Sequence, residues 1–291
     1  TSTYDSITVT GQQSDSHSGI SSTEYGISTS ESGTYSYQST NKFTSKSSGT
    51  TYYVKTRVKN GAGHGWTYSS ATSIATKTYV SSVTLNKTSL ELWPVGSTET
   101  LTASILPTTA SNKDVTWSST AGTYASVKSG VVQANKYGTA TIKATAADGS
   151  GKVGSCSVKV LGMPPVSSIT ATSYSGTVGA MGSSTYRSYM YDGKISGSQY
   201  WSSSAYDAII TINFDTYYSI SKVSLINGNA VKFNIQVNSL SDTKIGRVEN
   251  ITGNQWMDVP VNSGAYNGIK IYIRAVNSDS WVAVSEIKLT P

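Results

Sequence analysis

Short runs of alternating apolar and polar residues recur from one end of this chain to the other, and that period of two constrains the fold more than any other feature. Thr51 to Lys59 is the clearest run: Tyr52, Val54, Thr56 and Val58 fall on one face, Tyr53, Lys55, Arg57 and Lys59 on the other. Ile209 to Phe214, Ile220 to Ile226, Phe233 to Val237 and Ile269 to Ile273 repeat the pattern. Turn-forming residues separate the runs, and no long Ala/Leu/Glu/Lys stretch offers a helix. An all-β chain is expected, and its 291 residues exceed one small sandwich and suit two or three domains.

The composition bounds the partners. With 37% hydrophobic and 13% charged residues and 20 tyrosines, the chain has the makings of packed cores rather than of disorder. The formal charge of +6 is dispersed: residues 1–78 carry 6 basic and 4 acidic side chains, 79–162 carry 7 and 4, and 163–291 carry 9 and 8. Capture of a phosphate backbone needs clustered cations, so nucleic acid is not an expected partner. Cys156 is the only cysteine, which excludes an intramolecular disulfide and a Cys-based zinc site. Set between Ser155 and Ser157 before Val158-Lys159-Val160, it reads as a small buried strand residue. No run approaches the roughly 20 apolar residues of a membrane-spanning helix, so membrane insertion is not expected. A start at Thr1 rather than Met suggests a processed product or an excerpt.

In residues 1–78 the Tyr-rich strand is followed by Asn60-Gly61-Ala62-Gly63-His64-Gly65-Trp66 and then by Ser73-Ile74-Ala75-Thr76. This order resembles the last two strands of a fibronectin type III domain. The family's proline-bearing first strand is missing; its place is expected upstream of Thr1, the alternative being a degenerate domain. His64 and His17 read as residues of exposed turns rather than as metal ligands.

Residues 79–162 give short strands with turn signals about every 8 to 12 positions, the mark of a Greek-key sandwich. The segment resembles the group 2 bacterial immunoglobulin-like domain. Trp117 matches the core tryptophan of that family's Val-x-Trp-x-Ser element, and Gly138-Thr139-Ala140-x-Ile142 its late strand. The resemblance implies a spacer or adhesion module of a bacterial surface or phage virion protein. Trp93 is expected to cap the sandwich.

Gly162-Met163-Pro164-Pro165 reads as a stiff linker. Beyond it, residues 163–291 combine Asp192-Gly193 and Tyr200-Trp201, the strand Ile220 to Leu225, the Asn234-Ile235-Gln236-Val237 strand and the closing Ser285-Glu286-Ile287-Lys288-Leu289. This order resembles a discoidin-like, coagulation-factor C-type domain, the jelly roll shared with galactose-type carbohydrate-binding modules. The resemblance implies a structural calcium ion held by Asp192, Ser196 and Glu286, a set rich in the hard oxygens that Ca2+ prefers. The family's usual Thr falls on Gly197, and the alternative is an Asx-turn at Asp192 with Glu286 in a salt bridge. For the ligand it implies Trp281 as the stacking aromatic, with Asn227, Asn229 and Lys232 in one loop and Tyr206 in another. A pyranose lays its C–H face on a ring while its hydroxyls need oriented polar groups. Trp201 and Trp256 are expected in the core.

The fold expected is therefore three β-sandwiches in tandem: fibronectin type III-like over 1–78, bacterial Ig-like over 79–162 and a discoidin-like jelly roll over 163–291. The function expected is noncatalytic binding of a cell-surface glycan or polysaccharide on a phage virion, tail or fibre, or on an extracellular bacterial surface, with other copies or virion proteins as further partners. A purely structural component, or an accessory region of a secreted glycosidase, is the alternative. Asp207, Asp215 and Asp258 are scattered and no motif pairs them, so an enzyme is not expected.

Overall fold

Every regular element among the described residues is a β-strand, as the period of two requires. The computed structural model describes all residues except 12, 63–64, 173–189, 191–200, 203–205, 228–231 and 278–281, and describes the backbone alone of Trp201, Ser202 and Asn227. Internal contacts divide the chain into two units. The first is Thr1–Thr84, Ala103–Thr116 and Ala144–Gly154; the second is Leu85–Thr102, Trp117–Lys143 and Ser155–Pro291.

In the first unit the alternating run becomes the strand Thr51–Asn60. It lies antiparallel to Ile20–Ser28 on one side and to Thr67–Tyr68 and Thr72–Ala75 on the other. Tyr52 and Val54 point into a small core with Ile7, Ile27 and Phe43. On the opposite face the Arg57 guanidinium lies 3.9 Å from the Tyr37 ring and 4.4 Å from the Trp66 ring, and pairs with Glu24. Gly26 lets Tyr37 lie flat there, since a Cβ at that position would come within 2.6 Å of its ring. The same unit holds the passage to the second domain. Tyr4 stacks on Tyr79 at 4.1 Å, and the Asp148 carboxylate accepts the Val80 N–H at 2.6 Å.

In the second unit, Thr98–Thr100, Val131–Ala134 and Ala125–Lys128 form an antiparallel sheet, while Val153–Val160 runs parallel to Ser89–Leu92. Leu90, Leu92, Leu101, Ile142, Val158 and Cys156 fill the core between them, with Trp117 packed against it. Cys156 is fully buried, the place its flanking serines implied, and burial pushes its thiol pKa up.

Residues 163–291, which lie in the second unit and are here called the third domain, contribute seven strands among the described residues: β1 (Val166–Thr172), β2 (Trp201–Ser202), β3 (Asp207–Asn227), β4 (Lys232–Ser239), β5 (Lys244–Thr252), β6 (Trp256–Ala275) and β7 (Ala283–Thr290). β3 and β6 are long, and their mutual register shifts twice, between Asn213 and Tyr218 and between Ile220 and Lys222. At these bulges both strands pass from one layer to the other. The front layer pairs the first half of β3 with β1 and with the second half of β6, followed by β4 and β5. The back layer pairs the second half of β3 with the first half of β6 and with β7, which takes β2 on its other side. Ile210, Ile271 and Ile235 from the front meet Val223, Met257 and Ile287 from the back in one core. Gly268 permits the bend of β6, because a Cβ there would meet the Ile212 carbonyl oxygen at 2.5 Å.

Part of the outer face of the back layer is covered. Ser224, Glu286 and Thr290 are buried on it. Alternation turns Met257 inward and Trp256 outward, so Trp256 is only partly buried and meets Trp93 edge to face at 5.5 Å instead of joining the core where the sequence reading put it. Trp93, expected to cap its sandwich, makes this ring contact and also faces the Lys288 ammonium. Tyr137 of the Ig-like segment enters the third domain's core, and its hydroxyl donates to the Ser219 carbonyl at 2.7 Å. Gly162, in the predicted linker, exchanges two backbone hydrogen bonds with Leu289, so the linker is fastened to β7.

Candidate functional site

Three connections pass between the layers at one end of the third domain. β2, paired with the start of β7, leads through four residues to β3 in the front layer. β3 ends at Asn227 opposite Val284, and four residues later β4 begins at Lys232 in the front layer. β6 ends at Ala275 opposite Phe233, and the chain returns to the back layer at Ala283. The two four-residue connections keep the ends they join within about 18 Å of each other. Two hydrogen bonds fasten them: Ala275 N–H donates to the Tyr206 carbonyl at 2.8 Å and Val276 N–H to the Lys232 carbonyl at 2.9 Å.

Of the ligand residues read from the sequence, Tyr206, Asn227 and Lys232 stand at or beside these strand ends. Tyr206 is partly buried with the Arg274 guanidinium 5.3 Å from its ring centroid, and Lys232 is exposed. Asn227 is placed by its backbone, opposite Val284. Trp281 and Asn229 lie outside the described residues, as do Asp192 and Ser196 of the metal set. Glu286, the third of that set, is 1% exposed in β7, opposite Ile226.

From the same end a groove of about 660 Å³ extends over the outer face of the front layer. Strand register sets its polar side chains in two neighbouring rows, Asp207, Arg274 and Asn234 in the first and Tyr272, Gln236 and Arg247 in the second. Local hydrogen bonds orient them. Gln236 Nε2 donates to Asn238 Oδ1 at 2.9 Å, Asn234 Oδ1 accepts the Asn250 N–H at 2.9 Å, and Tyr272 Oη donates to Asp242 Oδ1 at 2.8 Å. Asp242 also takes the Lys270 ammonium at 2.7 Å, and these two donors, Lys270 first, hold its carboxyl below the usual carboxylate range. The sequence reading passed over the groove. Its signal was present in the outward positions Asn234 and Gln236 of an alternating strand, and in two of the chain's four arginines, Arg247 and Arg274, at such positions.

The remaining carboxylates have separate partners. Asp215 accepts the Tyr218 hydroxyl at 2.8 Å, and burial together with that bond pushes the Tyr218 pKa up to about 12. Asp258 accepts Ser224 Oγ at 2.6 Å and Lys222 Nζ at 3.1 Å. Among the described residues no three His, Cys, Asp or Glu side chains gather as a metal-binding group.

Comparison with solved structures finds likenesses at low identity. The CBM32 of AlyQ, solved in complex with 4,5-unsaturated mannuronic acid, matches at 15% identity and a TM-score of 0.33, over 43% of this chain and 95% of that one. A Clostridium perfringens CBM32 in complex with GalNAc-beta-1,3-galactose matches at 20% identity and a TM-score of 0.31, over 42% of this chain and 93% of that one. A Ruminococcus gnavus GH29 fucosidase mutant in complex with fucose matches at 19% identity and a TM-score of 0.33, over 42% of this chain and 24% of that one. Among curated proteins, an uncharacterized protein of Clostridium acetobutylicum is 46% identical over 79 residues, which are 27% of this chain and 8% of that relative. The resemblance read from Trp117 and from Gly138 to Ile142 is borne out by the family comparison: residues 79–156 match the bacterial Ig-like domain (group 2).

Proposed function

We propose that the chain is a noncatalytic, surface-exposed carbohydrate-binding protein. In this reading the third domain holds a cell-surface glycan or polysaccharide at the end formed by its three interlayer connections. The upstream sandwiches, the first of them fibronectin type III-like, are spacers on a phage virion or a bacterial surface. The observation that carries the reading is the pair of backbone hydrogen bonds that ties Tyr206, Lys232, Ala275 and Val276 together at that end. There Trp281 offers a ring for the C–H face of a sugar, and Asn227, Asn229, Lys232 and Tyr206 offer hydrogen-bonding groups for its hydroxyls. Ca2+ held by Asp192, Ser196 and Glu286 braces the site, since the ion prefers hard carboxylate and hydroxyl oxygens of this kind. Single sites of this kind bind weakly, so several copies acting together supply the avidity.

A glycan array followed by titration calorimetry on the whole chain tests the proposal. Binding to at least one glycan, lost in Trp281→Ala, is expected; no binding to any glycan sinks it.

A further inference from the structure

We infer that the outer face of the front layer is a second carbohydrate subsite, which takes an extended, electrically neutral glycan chain running on from the sugar held at the connection end. The inference rests on the carbohydrate reading of the third domain and adds a surface apart from Trp281.

The two layers differ in what covers them. On the outer face of the back layer Ser224 and Glu286 are inaccessible, whereas Arg247 and Arg274 on the front layer are exposed. The front face also departs from the chain's ordinary solvated strand. Val153–Val160 turns Ser155, Ser157 and Lys159 outward, the small hydroxyls and flexible ammonium that a wet sheet face needs. The groove instead collects two guanidinium groups, two primary amides, two phenols and a carboxylate. Amides, guanidinium groups and carboxylates are planar and present paired donors or acceptors, the geometry that meets adjacent sugar hydroxyls two at a time.

These groups are held before any ligand arrives. The bonds from Gln236 to Asn238, from Asn250 to Asn234 and from Tyr272 to Asp242 fix three of them, which lowers the entropy lost on binding. The volume of about 660 Å³ lies in the range of small-molecule clefts and is open along the sheet, so it suits a chain segment rather than one enclosed residue. Tyr206 belongs both to the groove lining and to the first interlayer connection, and so joins the two surfaces.

Charge selects the class of glycan. Arg274 stands directly across from Asp207, and Arg247 pairs with Glu249. Each groove cation has an acidic neighbour, so the surface has no excess positive potential for a uronate or sulfated chain.

Titration calorimetry of the whole chain against neutral sugars of one and six residues tests this, with β-1,4-glucan, β-1,4-galactan, α-1,4-glucan and β-1,4-linked N-acetylglucosamine hexamers and a galacturonate hexamer as probes. At least one neutral hexamer is expected to bind more tightly than its monosaccharide. Arg247→Ala and Gln236→Ala should each weaken that hexamer about tenfold and leave the monosaccharide unchanged, the loss matching about one hydrogen bond. Thermal melts of both variants establish that they fold. Affinity independent of length, silent groove variants, or tighter binding of galacturonate than of every neutral hexamer overturns the inference. If Trp281→Ala abolishes binding while the groove variants are silent, the connection-end site stands and the groove falls. If no sugar binds anywhere, both fall.

Discussion

The Lys288 ammonium is seated between two tryptophans of different domains, 4.0 Å from the Trp256 ring centroid and 5.2 Å from that of Trp93. Burial depresses its pKa, opposed by the negative charge of Asp258, Glu91 and Glu286. The ring faces replace part of the lost hydration. Trp93 of the Ig-like segment and Trp256 and Lys288 of the third domain thereby share one packed surface.

Trp93→Ala removes one ring from this seat and should cost about 2 to 4 kcal/mol. Differential scanning calorimetry should then separate a transition of the third domain from the rest, where the parent chain unfolds these segments together.

Tyr137 supplies the second tie. Tyr137→Phe keeps the buried ring and loses the hydrogen bond to the Ser219 carbonyl, so urea denaturation should report a loss of about 1 kcal/mol. Tyr137→Ala opens a cavity in the core it enters and should cost about 3 to 5 kcal/mol.

Asp258 gives the seam an acid limit. Burial alone would raise its pKa, but the hydrogen bonds from Ser224 and Lys222 and the charges of Lys222 and Lys288 outweigh burial and hold it below the ordinary 3.8. A depressed carboxylate pKa stabilises the native state fully above 3.8 and loses that contribution as pH falls through the lower folded value. Because the side chain is 50% exposed, the effect is below about 1 kcal/mol. Melting temperatures of the parent and Asp258→Asn should differ near neutral pH and converge toward about pH 2.

The sequence made the strands legible because alternation is local. Tyr52 and Val54 face a core as read, and Ile209 to Phe214 and Ile220 to Ile226 are the two halves of β3. That these runs form one strand was hidden in register shifts that arise only from its pairing with β6, distant in sequence. The groove was illegible for the same reason. Asp207, Arg274 and Asn234 become neighbours only through the register of three strands distant in sequence. Of the ligand set, Tyr206 and Lys232 come to one end of the sandwich, while Trp281 and Asn229 lie outside the described residues.

Calcium is testable through stability. If Asp192, Ser196 and Glu286 hold the ion, saturating Ca2+ should raise the melting temperature relative to chelated protein. The gain is about 2.7 kcal/mol when free Ca2+ is a hundredfold above its dissociation constant. Glu286→Gln should abolish the difference, and equal melting temperatures with Ca2+ and with chelator would remove calcium from the account.

The central claim, carbohydrate binding at the connection end, meets its most direct test in calorimetric titration of the glycan selected on an array against the parent chain and Trp281→Ala. The account predicts a binding isotherm for the parent and a loss of at least about a hundredfold in the variant, the worth of a stacked aromatic platform with its buried area. Equal affinity of parent and variant for that glycan would contradict it.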